Sequence, residues 1–354
     1  MLTKLGWRKS SFILFIAILA SAGIYNSNIR ADSTDNKSAA KNTYLDKVKD
    51  RGYLICGVEG ELPGFSFINA EGKYAGLDVD FCRAVASAIF NDPSKVEFRN
   101  LNLSDRFEAL KSGEIDLLSR NTTKTLSRDT DSLEFTPTIF YDSQGIMVDR
   151  NSGIKSVADL EGKSICVSEN TTSYENLKDY MNSKGITYKA VSQENKDALF
   201  DFYEHDGCEA ITGDSSYLIT RKVMLANPQD HQIIIEAIAQ EPLAPVVLDR
   251  DSQWSDVVKW ITFALIQAEE LNIDSVNLGT RKDSQDSQVR RFLGVNGNLG
   301  SEMGLSNDFA SRIIKHVGNY QEIYNRNLGE PFGFQRGQNA LWRDGGLMYS
   351  PPFD

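Results

Sequence analysis

Histidine, the side chain most often used as a general acid or base, is scarce in this sequence. The 354 residues include only three, His205, His231 and His316, and none lies in a nucleophile-elbow or metal-binding motif. The sequence also lacks G-x-S-x-G, H-E-x-x-H and a phosphate-binding Walker loop. It therefore gives no positive indication of hydrolytic or metal chemistry, and we expect no cofactor. A Ser–His–Asp site stays open, although nothing points to one.

Positive charge is in deficit. The chain has 38 lysine and arginine residues against 49 aspartate and glutamate residues, a formal net charge of −11. Removing the three N-terminal cations Lys4, Arg8 and Lys9 brings this to −14. Nucleic acids and anionic membrane surfaces both attract positive charge, so the composition argues against either as a partner.

Long apolar runs are missing, apart from FILFIAILA at 12–20. This run is shorter than the roughly 20 residues that a membrane-spanning helix needs. It follows the N-terminal cations and precedes Ala20-Ser21-Ala22, the small-x-small pattern of a cleavage site. We expect residues 1–22 to be a signal peptide that is cleaved on export; an uncleaved anchor is the alternative. A lipid-anchored form would need a cysteine just after the run, and none stands there.

Residues 23–43 contain almost nothing that could be buried, and they are typical of a flexible tether. The part that follows alternates between strand and helix patterns. One β-α-β-α-β run includes an amphipathic helix at 77–90 and a helix with Asp105 and Glu108 in capping-box spacing and a stop at Gly113. A second run begins with a strand at 164–168. This alternation predicts an α/β fold with two lobes.

Two extended segments, 139–149 and 241–249, connect the two runs. We therefore expect the chain to leave the first lobe (44–143), build the second (144–244) and return to the first (245–354, with a C-terminal extension). Lobes joined in this way can hinge about a pair of strands.

Cysteine is sparse but evenly divided, with two residues in each run: Cys56, Cys82, Cys166 and Cys208. In an exported protein two disulfides are plausible; four buried free thiols are the alternative. No spacing resembles a zinc site, because His205-x-x-Cys208 alone supplies too few ligands.

Polar loops follow three of the predicted strands, in the position where open α/β sheets bind ligands. SRNTTKTLSRDTD (119–131) is rich in hydroxyls and offers Thr125 as a helix N-cap. SENTTSYE offers Thr172 or Ser173, and GDSSY offers Asp214. Helix N-termini present free N–H groups that suit a carboxylate.

Two charged side chains make these loops candidates for a zwitterion site. Arg128 has a planar fork that can hold a carboxylate with two hydrogen bonds, and Asp214 suits an ammonium group. A carboxylate and an ammonium on one small ligand describe an α-amino acid. The alternative is that the threonines and Asp214 are ordinary caps and that Arg128 pairs on the surface with Asp129 or Asp131.

Several long motifs in order resemble the periplasmic substrate-binding proteins of polar amino acid ABC transporters, and are most similar to the general L-amino-acid-binding branch. The resemblance covers about residue 50 to the end. It is carried by LPGFSFINAEGKYAGLDVDFCRAVASAIFNDPSKV, DRFEALKSGEIDLLSRNTT, SRNTTKTLSRDTDSLEFTPTIFYDSQGIMV and VGNYQEIYNRNLGEPFG…GQNALWRDGGLMYSPP. It implies a two-lobed, type II periplasmic-binding-protein fold with two hinge crossings. It also implies a non-enzymatic receptor in the periplasm that closes on an L-amino acid, with broad specificity, and delivers it to a membrane permease.

The resemblance also implies roles for particular residues. Arg128 would bind the ligand α-carboxylate, helped by Thr123 and by the helix N-terminus at Thr172. Asp214 would bind the α-ammonium together with the backbone carbonyl of Asn121.

The apolar wall of the pocket is expected in the first loop. Leu62 stands where relatives often have an aromatic residue, and Phe65 lies three residues on. Glu59 in the same loop is either a contact to the ligand side chain or a solvated glutamate.

Pairing within each lobe would leave a hinge free to move, so the resemblance implies the disulfides Cys56–Cys82 and Cys166–Cys208. It also implies a monomer. The competing class is an enzyme on the same fold, such as a dehydratase, in which Glu59 or Glu169 would serve as acid or base.

Overall fold

The structure is a computed structural model that describes residues 43–354. The predicted signal peptide and the predicted tether up to residue 42 lie outside the described residues. Among the helices of residues 43–354, none has the length and apolar character needed to cross a membrane.

Helices and strands alternate through the first two thirds of this region, and the last third is helical. The α-helices are α1 (Tyr44–Arg51), α2 (Leu77–Phe90), α3 (Arg106–Ser112), α4 (Leu126–Asp129), α5 (Thr172–Lys184), α6 (Lys196–Glu204), α7 (Ser215–Lys222), α8 (Ser252–Glu270), α9 (Leu278–Arg281), α10 (Ser287–Phe292), α11 (Leu299–Glu302), α12 (Phe309–His316), α13 (Tyr320–Tyr324) and α14 (Glu330–Phe332). The strands are β1 (Leu54–Val58), β2 (Glu61–Leu62), β3 (Ser66–Ile68), β4 (Tyr74–Ala75), β5 (Val96–Asn100), β6 (Leu117–Leu118), β7 (Leu133–Phe135), β8 (Phe140–Asp149), β9 (Ser164–Ser168), β10 (Lys189–Gln193), β11 (Ala210–Asp214), β12 (His231–Leu243) and β13 (Val246–Leu248).

Two five-stranded sheets form the two lobes. The first has the order β5-β1-β6-β13-β7, and the second has the order β10-β9-β11-β8-β12. In the first sheet β5, β1 and β6 are parallel, and β13 is antiparallel to its neighbours β6 and β7. In the second sheet β10, β9 and β11 are parallel, and β8 is antiparallel to its neighbours β11 and β12. Parallel strands need helical crossovers that cover the sheet faces. The expected two-lobed α/β fold is therefore confirmed.

The two crossings are the long strands β8 and β12, which pair antiparallel from Phe140↔Leu243 outward, with a bulge between Ile234 and Ala239. The predicted segment 139–149 matches β8, whereas the predicted segment 241–249 contains only the end of β12 and continues into β13 of the first sheet. The first sheet takes strands from 54–135 and from 246–248. The proposed lobe boundaries at 143/144 and 244/245 stay a prediction.

Local patterns were predictive for α2 and only partly so for α3. Helix α2 spans the predicted 77–90, and it buries Val79, Cys82 and Val85. Helix α3 ends at Gly113, which adopts φ 79°. The capping box at Asp105 is wrong: Asp105 already has helical angles (φ −95°, ψ −18°) and makes no cap hydrogen bond, whereas a capping side chain needs an extended backbone.

Both predicted disulfides are present. Cys56 on β1 is bonded to Cys82 on α2, and Cys166 on β9 is bonded to Cys208, which lies just before β11. Each bridge fixes a helix or loop to the sheet of one lobe, and neither joins the two lobes. The alternative of four free thiols is wrong.

Candidate ligand-binding cleft

A cleft with an empty volume of about 490 Å³ lies between the two lobes. It is polar, and its lining comes from the loops that follow strands in both sheets. The lining residues are Leu103, Arg106, Arg120, Asn121, Thr122, Thr123, Arg128, Ser168, Thr171, Thr172, Ser173, Lys196, Thr212, Gly213, Asp214 and Tyr217. Arg128, Thr123, Asn121, Thr172 and Asp214, which the sequence nominated, are therefore brought together.

The loop after β6 owes its shape to a buried carboxylate that the sequence reading missed. The Asn121 N–H donates to Asp78 Oδ2 at 3.0 Å, and the Ser119 hydroxyl donates to Asp78 Oδ1 at 2.8 Å. Asn121 adopts φ 43°, a left-handed conformation that asparagine tolerates better than most residues. Burial raises the pKa of Asp78 to about 7. Asp78 thus fixes the direction of the main chain where the loop enters the cleft.

Arg128 is held in the cleft by its own loop. Thr125 is the N-cap of α4, as predicted, and its hydroxyl accepts from the Arg128 N–H at 3.3 Å. The Arg128 guanidinium donates to the Thr123 carbonyl at 2.8 Å and lies 5.6 Å from the centroid of the Phe107 ring. Burial lowers its pKa.

The alternative of a surface ion pair for Arg128 is wrong. Asp129 lies 3.7 Å from the Lys124 ammonium, and Asp131 lies 2.6 Å from the Lys111 ammonium. Within residues 43–354, no salt bridge joins Arg128 to a carboxylate.

In the second lobe the predicted N-cap is one or two residues too late. Thr171, with an extended backbone (φ −121°, ψ 158°), caps α5 by accepting from the Tyr174 N–H. Thr172 is the first helical residue, so its side chain is free for other contacts. Its hydroxyl donates to Glu241 at 2.9 Å and lies 3.4 Å from the Thr123 hydroxyl of the other lobe.

Asp214 occupies the N-cap position of α7, as predicted, but its carboxylate makes no cap hydrogen bond. In the described part of the chain nothing donates a hydrogen bond to it. Burial raises its pKa well above the ordinary value, and the carboxylates of Glu241 and Asp142 add to this effect. A cation placed beside Asp214 would compensate the carboxylate for its lost hydration and would offset the repulsion from Glu241 and Asp142.

Glu59 links the lobes instead of facing solvent. Its carboxylate lies 3.2 Å from the Lys196 ammonium, at the start of α6, and 3.8 Å from the Arg120 guanidinium. Burial opposes its ionisation, but the Lys196 and Arg120 cations outweigh burial and lower its pKa. The reading of Glu59 as a solvated loop residue is therefore wrong.

The predicted apolar wall is also misplaced. Leu62 on β2 and Phe65 are fully buried in the core, where the Phe65 ring packs edge-on against Phe140 at 5.2 Å. Neither lines the cleft. The lining aromatic residue is Tyr217 on α7, which carries the Lys196 ammonium 4.7 Å from its ring centroid. Tyr217 follows Asp214 by one helical turn, a spacing that could have revealed it.

Three further side chains bear on what the cleft can do. Arg106 and Lys196 line it without having been nominated; each stands in the first turn of a helix that follows a strand, which is a usable signal. Glu169, proposed as an acid or base in the enzymatic alternative, is exposed, accepts from the Ser192 hydroxyl at 2.8 Å and lies outside the cleft lining.

Taken together, the two hinged sheets and a polar cleft between them define a solute-binding protein. Residues 54–330 match the family model of the bacterial extracellular solute-binding proteins, family 3. The chain belongs to this family.

Individual relatives agree with that membership. The chain is 45% identical over 320 residues, 89% of its own length and 94% of the relative, to the general L-amino acid-binding periplasmic protein AapJ of Rhizobium johnstonii. It is 43% identical to the glutamate/glutamine/aspartate/asparagine-binding protein BztA of Rhodobacter capsulatus, over 89% of this chain and 94% of that one. A solved Brucella ovis ABC transporter/periplasmic binding protein with glutathione bound aligns with a TM-score of 0.86 and 44% identity, over 88% of this chain and 99% of that one.

Proposed function

We propose that this protein captures L-amino acids, with broad specificity, between its closing lobes in the periplasm and delivers them to the membrane permease of an ABC transporter. The names of AapJ and BztA support the ligand class and, for AapJ, the compartment. The protein acts as a monomer, since one chain contributes both halves of the cleft.

One observation carries the proposal. Arg128 on the first lobe and Asp214 on the second have opposite charges and line the same cleft, and neither has an ion-pair partner in the described chain. Charges taken out of water need counter-charges. A zwitterion supplies one for each and holds the lobes together.

The ligand contacts follow from this arrangement. Arg128 binds the α-carboxylate, aided by the hydroxyls of Thr123 and Thr172. Asp214 binds the α-ammonium, and the carbonyl of Asn121 accepts a second of its protons. Micromolar affinity requires about −8 kcal/mol, and two charge-assisted pairs that are desolvated on closure can supply most of it.

The side-chain end of the ligand meets a different set of groups. Leu103 and Tyr217 provide its apolar surface, in place of the predicted Leu62 and Phe65. A mixed wall of this kind accepts many side chains, which gives breadth. Glu59 is paired with Lys196 and Glu169 lies outside the cleft, so neither is placed to act as a general base, and we propose no catalysis.

A ligand screen tests the proposal. The protein is heated with each of the twenty L-amino acids, and hits are titrated by calorimetry beside analogues that lack the α-amino or the α-carboxylate group. A ligand at 100 times its dissociation constant stabilises the fold by about 2.7 kcal/mol. We expect several amino acids to bind and both kinds of analogue to fail. Equal binding of deaminated analogues, or no amino acid bound, would refute the proposal.

A further inference from the structure

Helix α7 begins without a hydrogen bond from its own N-cap side chain. Asp214 occupies the N-cap position with the backbone angles φ −55° and ψ 135°. An aspartate at this position ordinarily accepts a hydrogen bond from the N–H of the second or third helical residue. The Asp214 carboxylate makes no such bond. The N–H groups in the first turn of α7 therefore need another acceptor.

Asp142, on the first crossing strand, supplies that acceptor. The N–H of Ser216, the second residue of α7, lies 3.2 Å from Asp142 Oδ2 and 3.3 Å from Oδ1 and donates to this carboxylate. The Ser216 hydroxyl also donates to Oδ2, and the Ser143 N–H donates to Oδ1 at 2.8 Å. A carboxylate that lies 74 residues before Ser216 thus makes the bond that an N-cap side chain ordinarily makes.

The second sheet holds Asp142 in register with the start of α7. Strands β8 and β11 are antiparallel neighbours, and Asp214 at the end of β11 lies opposite Gln144 of β8. The hydroxyls of Ser143 and Ser215 are 3.1 Å apart. Because β11 leads directly into α7, the strand that carries Asp142 also fixes the first residues of the helix.

Asp142 and Asp214 differ in what each can offer a ligand. Asp142 lies outside the cleft lining, and both of its oxygens already accept hydrogen bonds. Burial raises its pKa to about 7, and the hydrogen bonds from Ser216 and Ser143 oppose this rise because they stabilise the ionised form. Asp214 lines the cleft and makes no cap hydrogen bond. Of these two carboxylates, Asp214 is the one that can receive a cation from the cleft.

We propose that Asp142 is a positioning residue for the ammonium site: it binds the cap donor of α7 and so leaves the Asp214 carboxylate available to the ligand. This inference rests on the proposed function, in which Asp214 binds the α-ammonium. Without Asp142 the Ser216 N–H would lose its acceptor, and an unpaired buried donor is costly. Asp214 stands at the position from which a side chain ordinarily binds that donor. Its carboxylate would then turn from the ligand to the helix.

A double-mutant cycle on affinity tests the inference. Asp142→Ala should weaken the binding of L-glutamine, measured by calorimetry, by at least about tenfold. The same change in the Asp214→Ala background should alter affinity by about twofold or less, because no carboxylate is left to be redirected. Asp142→Asn keeps an oxygen that can accept from Ser216, so it should bind within about threefold of the wild type. Asp149→Ala removes a carboxylate at the other end of β8, outside the cleft lining, and should bind normally.

The four proteins of the cycle also give a measurement that needs no ligand. In the wild type, Asp214→Ala removes no cap hydrogen bond. In the Asp142→Ala background it removes the cap that Asp214 has taken over. We therefore expect Asp214→Ala to lower the midpoint of urea unfolding more in that background than in the wild type. Equal shifts in the two backgrounds, or effects on affinity that simply add, would overturn the inference.

The conservative variant separates the acceptor of Asp142 from its charge. If Asp142→Asn loses as much affinity as Asp142→Ala, the charge acts on the ligand directly and the positioning role is wrong. Should Asp142→Ala fail to fold, Asp142→Asn decides: a loss of about tenfold or more overturns the inference, and a loss within about threefold supports it. If the wild type binds no amino acid, the proposed function has failed, and the unfolding midpoints alone decide whether Asp142 keeps Asp214 from capping α7.

Discussion

Asn339 holds the main chain of Tyr141 at both of its polar atoms. The Tyr141 N–H donates to Asn339 Oδ1 at 2.7 Å, and Asn339 Nδ2 donates to the Tyr141 carbonyl at 3.0 Å. Tyr141 lies at the base of β8, opposite Pro242 of β12, and both of its main-chain polar atoms point away from β12, toward Asn339. Asn339, which stands beyond residues 54–330 of the family match, thus acts as a strand neighbour for the first crossing.

Replacing Asn339 with alanine should destabilise the protein. The change removes the hydrogen-bond partners of two partly buried main-chain groups, the Tyr141 N–H and the Tyr141 carbonyl. Each unsatisfied group costs about 1 kcal/mol or more, so we expect the free energy of unfolding to fall by about 2 kcal/mol. Urea denaturation measures this directly. Gln338→Ala is the matched control, because Gln338 is adjacent and exposed. An equal loss in the two variants would show that the amide contacts contribute nothing.

Arg128→Ala should weaken the binding of every amino acid, whatever its side chain. The variant removes the counter-charge of the α-carboxylate in a desolvated site, a loss of about 3 kcal/mol, or roughly a hundredfold in affinity. Calorimetry with three ligands of different side chains measures it. Lys124→Ala removes a cation from the same loop that does not line the cleft, and it should bind normally. Near wild-type affinity in Arg128→Ala would place the carboxylate elsewhere.

The parts of this site that follow a strand could be predicted from the sequence. Polar loops after buried strands gather at one edge of each sheet, which is why Arg128, Thr123 and Asp214 were found on opposite sides of one cleft. Helix α2 could be predicted from a second regularity, because its apolar residues repeat with the helical period. Local pattern and parallel-sheet geometry act together in these places.

Other parts depend on long-range packing that no local pattern contains. Leu62 and Phe65 have the composition of a ligand-facing loop, yet the short β2–β3 hairpin turns both into the core, where Phe65 packs against Phe140. The ion pair of Glu59 is made with Lys196, which lies 137 residues away along the chain, in the other lobe. The sequence predicted Thr172 as an N-cap, but the observed N-cap is Thr171. Both hydroxyls suit the role, and only the backbone angles distinguish the two residues.

Removing the Cys166–Cys208 disulfide should lower stability without lowering affinity. The bridge closes a segment of 42 residues, and the chain-entropy model gives a loss of about 4 kcal/mol for a loop of this length. Both cysteines belong to one lobe, so the hinge and the cleft should be unaffected. Thermal unfolding and calorimetry of the Cys166→Ser/Cys208→Ser variant separate the two effects. A fall in affinity with unchanged stability would contradict this account.

Asp214 gives ligand binding a pH dependence whose sign follows from its surroundings. Burial, with Glu241 and Asp142 adding to it, raises the pKa of the Asp214 carboxyl well above its ordinary value, while Lys196 opposes the rise. A bound ammonium favours the ionised carboxylate and so lowers that pKa. Binding therefore releases a proton wherever the free protein holds Asp214 protonated, and affinity rises with pH over that range.

We accordingly expect the affinity for L-glutamine, whose side chain does not ionise, to fall as the solution is acidified through the range in which the Asp214 carboxyl becomes protonated. Calorimetry in two buffers of different ionisation enthalpy measures both the affinity and the proton released. Asp214→Asn is the control: it should bind more weakly, and its affinity should depend less on pH. If the wild-type affinity rose toward acidic pH, or if Asp214→Asn kept the full slope, the ammonium would have to bind elsewhere in the cleft.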